Sequence, residues 1–176
     1  MTQDTLLPQL MARYQAFAAL MVACDDQAFR YAPPGKWTAG QHLAHLVRSV
    51  ALLPLAYRLP GFVLRALNGR PNRPSRTYEA LVARYQARLA DGGRARGFFV
   101  PPPVRVEDRQ ALVHRLTQAV GQLCQAAAGY TDAQWDEYLL PHPLLGKLTL
   151  REMLYFTLYH AGHHEALVRQ HNLPAT

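Results

Sequence analysis

Apolar residues recur at three- and four-residue spacing through four long stretches of this chain, and that period commits each stretch to a helix with one buried face. The first covers residues 5–24, where Leu7, Leu10, Met11, Tyr14, Phe17, Ala18 and Met21 share a side. Pro33, Pro34 and Gly35 break it. Thr38 followed three residues later by Gln41 has the form of a capping box, so a second helix is expected to start there and to run to about Leu53, where Pro54 stops or kinks it. The third, Glu107 to Ala127, carries acids in its first turn and a stripe of Leu112, Leu116, Val120, Leu123 and Ala127. The fourth is expected from Leu148 to about Gln170, after a Pro141 to Lys147 turn.

Between the second and third stretches the chain keeps its own apolar periodicity, which makes it more than a linker. Phe62 to Leu67, ended by Asn68 and Gly69, and Tyr78 to Leu89, ended by Gly92 and Gly93, read as two short helices. Arg70 to Pro74 and Pro101 to Pro103 read as turns. With few strand-like alternations, the pattern predicts an all-α fold, a four-helix bundle with short extra helices in the connection from helix two to helix three. The short links favour antiparallel neighbours, whereas the long excursion permits helices two and three to run parallel. A length of 176 residues, 49% of them hydrophobic, suits a single domain spanning residues 1–176.

Charge is unevenly placed. The formal net charge is +7, yet residues 55–115 hold twelve arginines against Glu79, Asp91, Glu107 and Asp108, so the rest of the chain is slightly acidic. Two readings of this basic segment stand: a solvated helical face, or a rim that attracts an anionic ligand. Nucleic acid is not an expected partner, because the aromatics form no stacking platform and no recognition motif accompanies them. Nor is a membrane, since no apolar run approaches the roughly 18 residues of a span, and a cytoplasmic protein is the expectation. Cys24 and Cys124 each sit in an apolar helical pattern and read as reduced core thiols.

The chemistry of the chain is concentrated in its histidines. On the fourth helix Leu150, Met153, Thr157, Ala161 and Val168 mark the centre of the buried face; His160 and His164 fall within about 40° of it, and His163 is turned away by about 100°. Residues four apart stand one above the other on a helix, so this pair can share one metal ion. A third ligand must come from another helix. His45 shares its stripe with Gln41, Ser49 and Leu52, while His42 lies about 60° to one side. Three neutral imidazoles leave a coordination position open, the arrangement of a catalytic site; hydrogen-bonded packing of buried histidines is the competing reading. His114 and His171 read as solvated, and His142, between two prolines, as a loop residue fixing the approach to the fourth helix. Trp37 and Trp135 read as packing anchors beside helix starts.

At these residues the sequence resembles the DinB-like, or DinB/YfiT-like, superfamily of small metal-binding bundles. The stretch Pro34 to Leu46, PGKWTAGQHLAHL, is similar to that family's tryptophan, helix start and metal-binding histidine before a leucine, and picks His45 over His42. The stretch Pro141 to Gln170, PHPLLGKLTLREMLYFTLYHAGHHEALVRQ, is similar to its turn and final helix with the histidine pair His160 and His164. The resemblance implies up, down, down, up topology, a divalent ion such as zinc or nickel near one end of a central cleft, and a homodimer. It also implies, from members of known activity, thiol transfer with a low-molecular-weight thiol cosubstrate. The arginine-rich middle and the extra His163 depart from simpler members.

The leading functional expectation is therefore a metal-dependent S-transferase in which the ion lowers the pKa of the thiol; Arg48 and arginines of the middle segment, chosen from charge, would hold carboxylates of a small-molecule substrate. Metal-dependent hydrolysis ranks second: it needs a general base, and only Glu152 and Glu165 lie on the fourth helix, both turned from its stripe. A third reading is a non-catalytic dimeric stress or binding module, with Tyr155, Phe156, Leu158 and Tyr159 as a partner surface or as a deeply buried belt.

Overall fold

A computed structural model describes residues 1–173. Helix α1 (Gln3–Ala23) buries Leu6, Leu10, Tyr14, Phe17, Ala18 and Met21, with Leu7 and Met11 at the edge of that stripe. A short helix α2 (Asp26–Arg30), absent from the expected elements, follows at once; the side chain of Asp25 accepts from the Ala28 N–H at 2.7 Å to cap it. Helix α3 (Ala39–Ala51) starts at Thr38 with both hydrogen bonds of the capping box formed. Pro54 then acts as a first-turn proline, so the chain restarts as α4 (Leu53–Arg58) rather than ending.

Helices α5 (Gly61–Asn68) and α6 (Tyr78–Ala90) are the two short helices expected in the long connection. Gly69, at φ +81, closes the first in a conformation that side chains rarely adopt. Two 3-10 turns, Gly97–Phe99 and Val106–Asp108, lead to α7 (Arg109–Ala127), so the third long helix begins two residues later than its pattern suggested. After the one-turn helix α8 (Gln134–Glu137), the stretch expected as a turn is an antiparallel hairpin, β1 (Leu139–His142) with β2 (Gly146–Thr149). The final helix α9 (Leu150–His171) accordingly begins at Leu150, not Leu148. Thr149 and Glu152 form a second capping box there, a Thr-x-x-Glu signal legible in the sequence.

Helix α1 runs antiparallel to α7: the Cys124 thiol reaches the Leu7 carbonyl at one end, and Arg109 donates to the Cys24 carbonyl at the other. It runs parallel to α9, with the amino terminus of Met1 near the Tyr155 hydroxyl and Arg13 facing Glu165. Helix α3 is antiparallel to α9 through His42 with His164 and His45 with His160. The order is thus up, down, down, up. The antiparallel partners, however, are not the helices joined by the short links: α1 and α3 each pack on α7 and α9 and face one another across the diagonal. Helix α2 lengthens one of those links, and α8 with the hairpin lengthens the other, enough to cross the end of the bundle.

Tyr14, Phe17, Phe29, Tyr57 and Trp135 are the largest side chains wholly inside. Their polar atoms are satisfied: the Tyr57 hydroxyl donates to the Leu150 carbonyl at 2.6 Å and the Trp135 indole to the Ala127 carbonyl at 3.1 Å. Both cysteines are free thiols, Cys24 buried and Cys124 half-buried. Burial pushes the Cys124 thiol up to about 11, which keeps it protonated. Among the described residues no single helix is long and apolar enough to cross a membrane.

Glu152 is fully buried, and the loop before α6 supplies its counter-charges. Arg73 grips the carboxylate through both nitrogens at 2.6 and 2.9 Å, Arg76 adds its guanidinium and backbone N–H, and Thr149 adds another N–H. Burial raises this carboxyl, but those donors outweigh it and hold it below the usual range. Two of the twelve arginines are therefore spent on this one acid. Removing one partner of a buried pair leaves an uncompensated charge, so Arg73→Ala is expected to cost about 2–4 kcal/mol in urea unfolding. A depressed carboxyl stabilises the fold fully above its unfolded value of about 4.3 and loses that contribution as pH falls through its folded value. Glu152→Gln should therefore flatten the acid side of the stability profile.

Candidate metal centre

The two capping boxes fix where α3 and α9 begin, and hence the depth at which their histidines sit. His42 and His45 on α3, and His160 and His164 on α9, are each about one-twentieth exposed. The Nε2 atoms of His45 and His160 are 3.2 Å apart, those of His160 and His164 are 3.0 Å apart, and one ligand atom from each ring lies within 4.8 Å of the others. Zinc–nitrogen bonds of 2.0–2.1 Å in a tetrahedral site put neighbouring nitrogens about 3.3 Å apart, so the spacing fits a shared ion.

Protonation supports the same reading. The Nδ1 of His45 lies 2.7 Å from the Phe99 carbonyl, which can only accept, so that nitrogen carries the proton and Nε2 presents a lone pair. The Nδ1 of His164 faces the Nδ1 of His42 at 2.8 Å, and with His164 donating, its Nε2 also presents a lone pair. His160 can place at most one proton between two such lone pairs, whereas one cation satisfies all three rings. Burial, then the charges of neighbouring imidazoles, push His160 and His164 well below the ordinary imidazole range. Burial likewise lowers His42, to about 3, and the rings are neutral donors at pH 7.

Around the three rings the fold builds a second layer. Trp37 packs against His42, His45 and His164, with centroids 5.5, 5.0 and 6.2 Å away, so it anchors the cluster as well as the start of α3. Phe156 stacks on His160 at 4.7 Å. Arg48 donates through Nη1 to the carbonyls of Phe98 and Val100 at 2.8 and 3.0 Å, and so pins the turn that presents the Phe99 carbonyl to His45. It also lines the adjoining cavity, where a substrate contact was expected of it.

The other histidines divide as follows. His163 packs against Tyr85 and Tyr159, outside the convergence of the three Nε2 atoms. His114 is exposed and His171 half-buried at the last residue of α9. His142 differs from the loop residue expected: it ends β1, is buried, and its Nδ1 accepts from the N–H groups of Leu144 and Leu145. Proline on both sides suggested a loop, but the hairpin needs no N–H from either one at its edge. His42 was set aside on its offset of about 60° and on the family pattern; the structure buries it, with its Nδ1 2.8 Å from that of His164, a contact that spacing along α3 does not announce.

A cavity of about 510 Å³ opens beside His45 and His160, walled by α3, α4, α6, the 94–99 segment, the hairpin and α9. Among the described residues no Asp or Glu lines it. A family model of the DinB superfamily matches residues 9–168.

The chain belongs to the DinB superfamily.

Among curated proteins none matches it. The matched span contains both histidine signatures, and the buried trio His45, His160 and His164 can hold a metal ion, as in a DinB-like metal-binding protein. Second-layer partners of metal ligands typically contribute 10–100-fold in affinity. His42→Ala in this DinB protein is expected to weaken zinc binding by about that factor in a chelator competition, with helix content unchanged; unaltered affinity would mean that the His42 contact orients nothing.

Proposed function

We propose that this protein is a metal-dependent transferase that acts with a low-molecular-weight thiol. The observation that carries the reading is the pairing of a three-imidazole donor set with a cavity that no carboxylate lines among the described residues. A divalent ion held by the Nε2 atoms of His45, His160 and His164, zinc or nickel by donor type, would lower the pKa of a thiol at its open position and supply a nucleophile at neutral pH.

The chain's own residues do the rest. Phe99 and His42 hold two of the ligand rings by their second nitrogens, and Trp37 and Phe156 shield the cluster from water. The electrophilic partner enters the adjoining cavity; sulfur forms the new bond to its carbon, the leaving group departs with the electron pair, and the thiol proton goes to solvent. Hydrolysis would need a base at the cavity. Glu152 is locked by Arg73 and Arg76, and Glu165 is taken by Arg169 and Arg13, so neither reaches it. Assembly as a homodimer, implied by the family resemblance, belongs to the same proposal and is read by light scattering.

The test is elemental analysis of untagged protein followed by assay with a thiol and an electrophile. About one ion per chain and turnover that needs both metal and thiol are expected, and His160→Ala should lower both by more than about 100-fold. Turnover with water alone would replace the proposal with hydrolysis, and stoichiometric metal without turnover would leave a binding module.

A further inference from the structure

The cavity beside His45 and His160 has a chemistry of its own. Its walls are apolar: Leu53, Leu89, Leu140, Leu144, Met153 and Phe156 face it. Among the described residues its charged lining is arginine alone, namely Arg48, Arg88, Arg94 and Arg96. These do not all serve the fold. Arg48 and Arg94 donate to backbone carbonyls, but the guanidinium of Arg88 meets only Asp91, at 4.0 Å between two exposed side chains, and that of Arg96 has no hydrogen-bond or ion-pair partner among the described residues.

Dimensions add a further constraint. Along α3 the wall runs from His45 through Ser49 to Leu52, about 10 Å at 1.5 Å per residue. Leu52, at the far end of this run, is 63% exposed, an apolar side chain left in solvent. A volume of about 510 Å³ falls in the range of small-molecule sites, which are mostly apolar with a few placed polar groups. Exposed arginine forks recognise carboxylate or phosphate oxygens in pairs.

We infer that this cavity binds an amphipathic anion: an apolar chain or ring system about 10 Å long, lying along Leu53, Leu89 and Phe156, with a carboxylate or phosphate head held by Arg88 and Arg96 and its other end against the three histidines. The inference rests on the reading of this cavity as the substrate room of the metal centre. It assigns the basic middle segment a second duty beyond the Glu152 contacts, and it explains why the apolar lining carries no acid.

The test uses the full chain stripped of metal by a chelator, so that an anion cannot bind through an ion and no turnover is involved. Calorimetric titration with octanoate and with octyl phosphate is compared with octan-1-ol, which lacks the charge, and with butyrate, which lacks the chain. Both anions are expected to bind at least about tenfold more tightly than either control, and the Arg88→Gln, Arg96→Gln double variant should lose about tenfold for the anions and nothing for octan-1-ol. The inference is overturned if octan-1-ol matches octanoate, if butyrate matches it, or if the double variant binds octanoate as the parent does. Failure of thiol transfer would leave these affinities where they are, so the two ideas fail separately.

Discussion

The antiparallel seating of α3 on α9 is the contact from which everything functional in this protein follows. It brings four neutral imidazoles into one buried volume, where lone pairs that face one another repel unless a proton or a cation lies between them. Burial disfavours the extra protons, since each ring is pushed below its ordinary range. A shared cation would satisfy the three rings together, and their nitrogens stand at a spacing that fits one.

Precision at that point is supplied from outside it. Both helices start at capping boxes, which set the axial position of each histidine, and Glu152 ties the second box to Arg73 and Arg76 in the long connection. The same connection supplies the turn around Phe99, held by Arg48, that fixes the tautomer of His45. The excursion between α4 and α7 therefore builds one wall of the cavity, orients the His45 ring and neutralises one buried acid.

The arginines illustrate how one composition signal splits in three dimensions. Arg73, Arg76 and Arg109 are committed to partners within the fold, Arg48 and Arg94 to backbone carbonyls, and Arg88 and Arg96 stand at the cavity with little else to bind. The anion-binding rim is what we propose for Arg88 and Arg96, while a further role of the basic segment, pairing with a buried acid, was invisible in the sequence. Nothing in the spacing of Arg73 and Glu152, 79 residues apart, announces their contact.

What the sequence by itself determined was local: the helical stripes, the Thr38 and Gln41 start, the break before Pro54, and the common face of His160 and His164, because a 3.6-residue period and side-chain caps act over a few residues. Choosing His45 as the third ligand needed the family pattern as well as the stripe. Only the tertiary structure decided that α1 and α3 lie across the diagonal, that residues 139–149 pair as a hairpin with His142 inside, and that His42 hydrogen-bonds His164. Those outcomes depend on the axial register between segments more than a hundred residues apart, or on strand pairing that competes with a turn. Periodicity reports which face of a helix is buried; which neighbour meets that face, and at what height, is settled by packing.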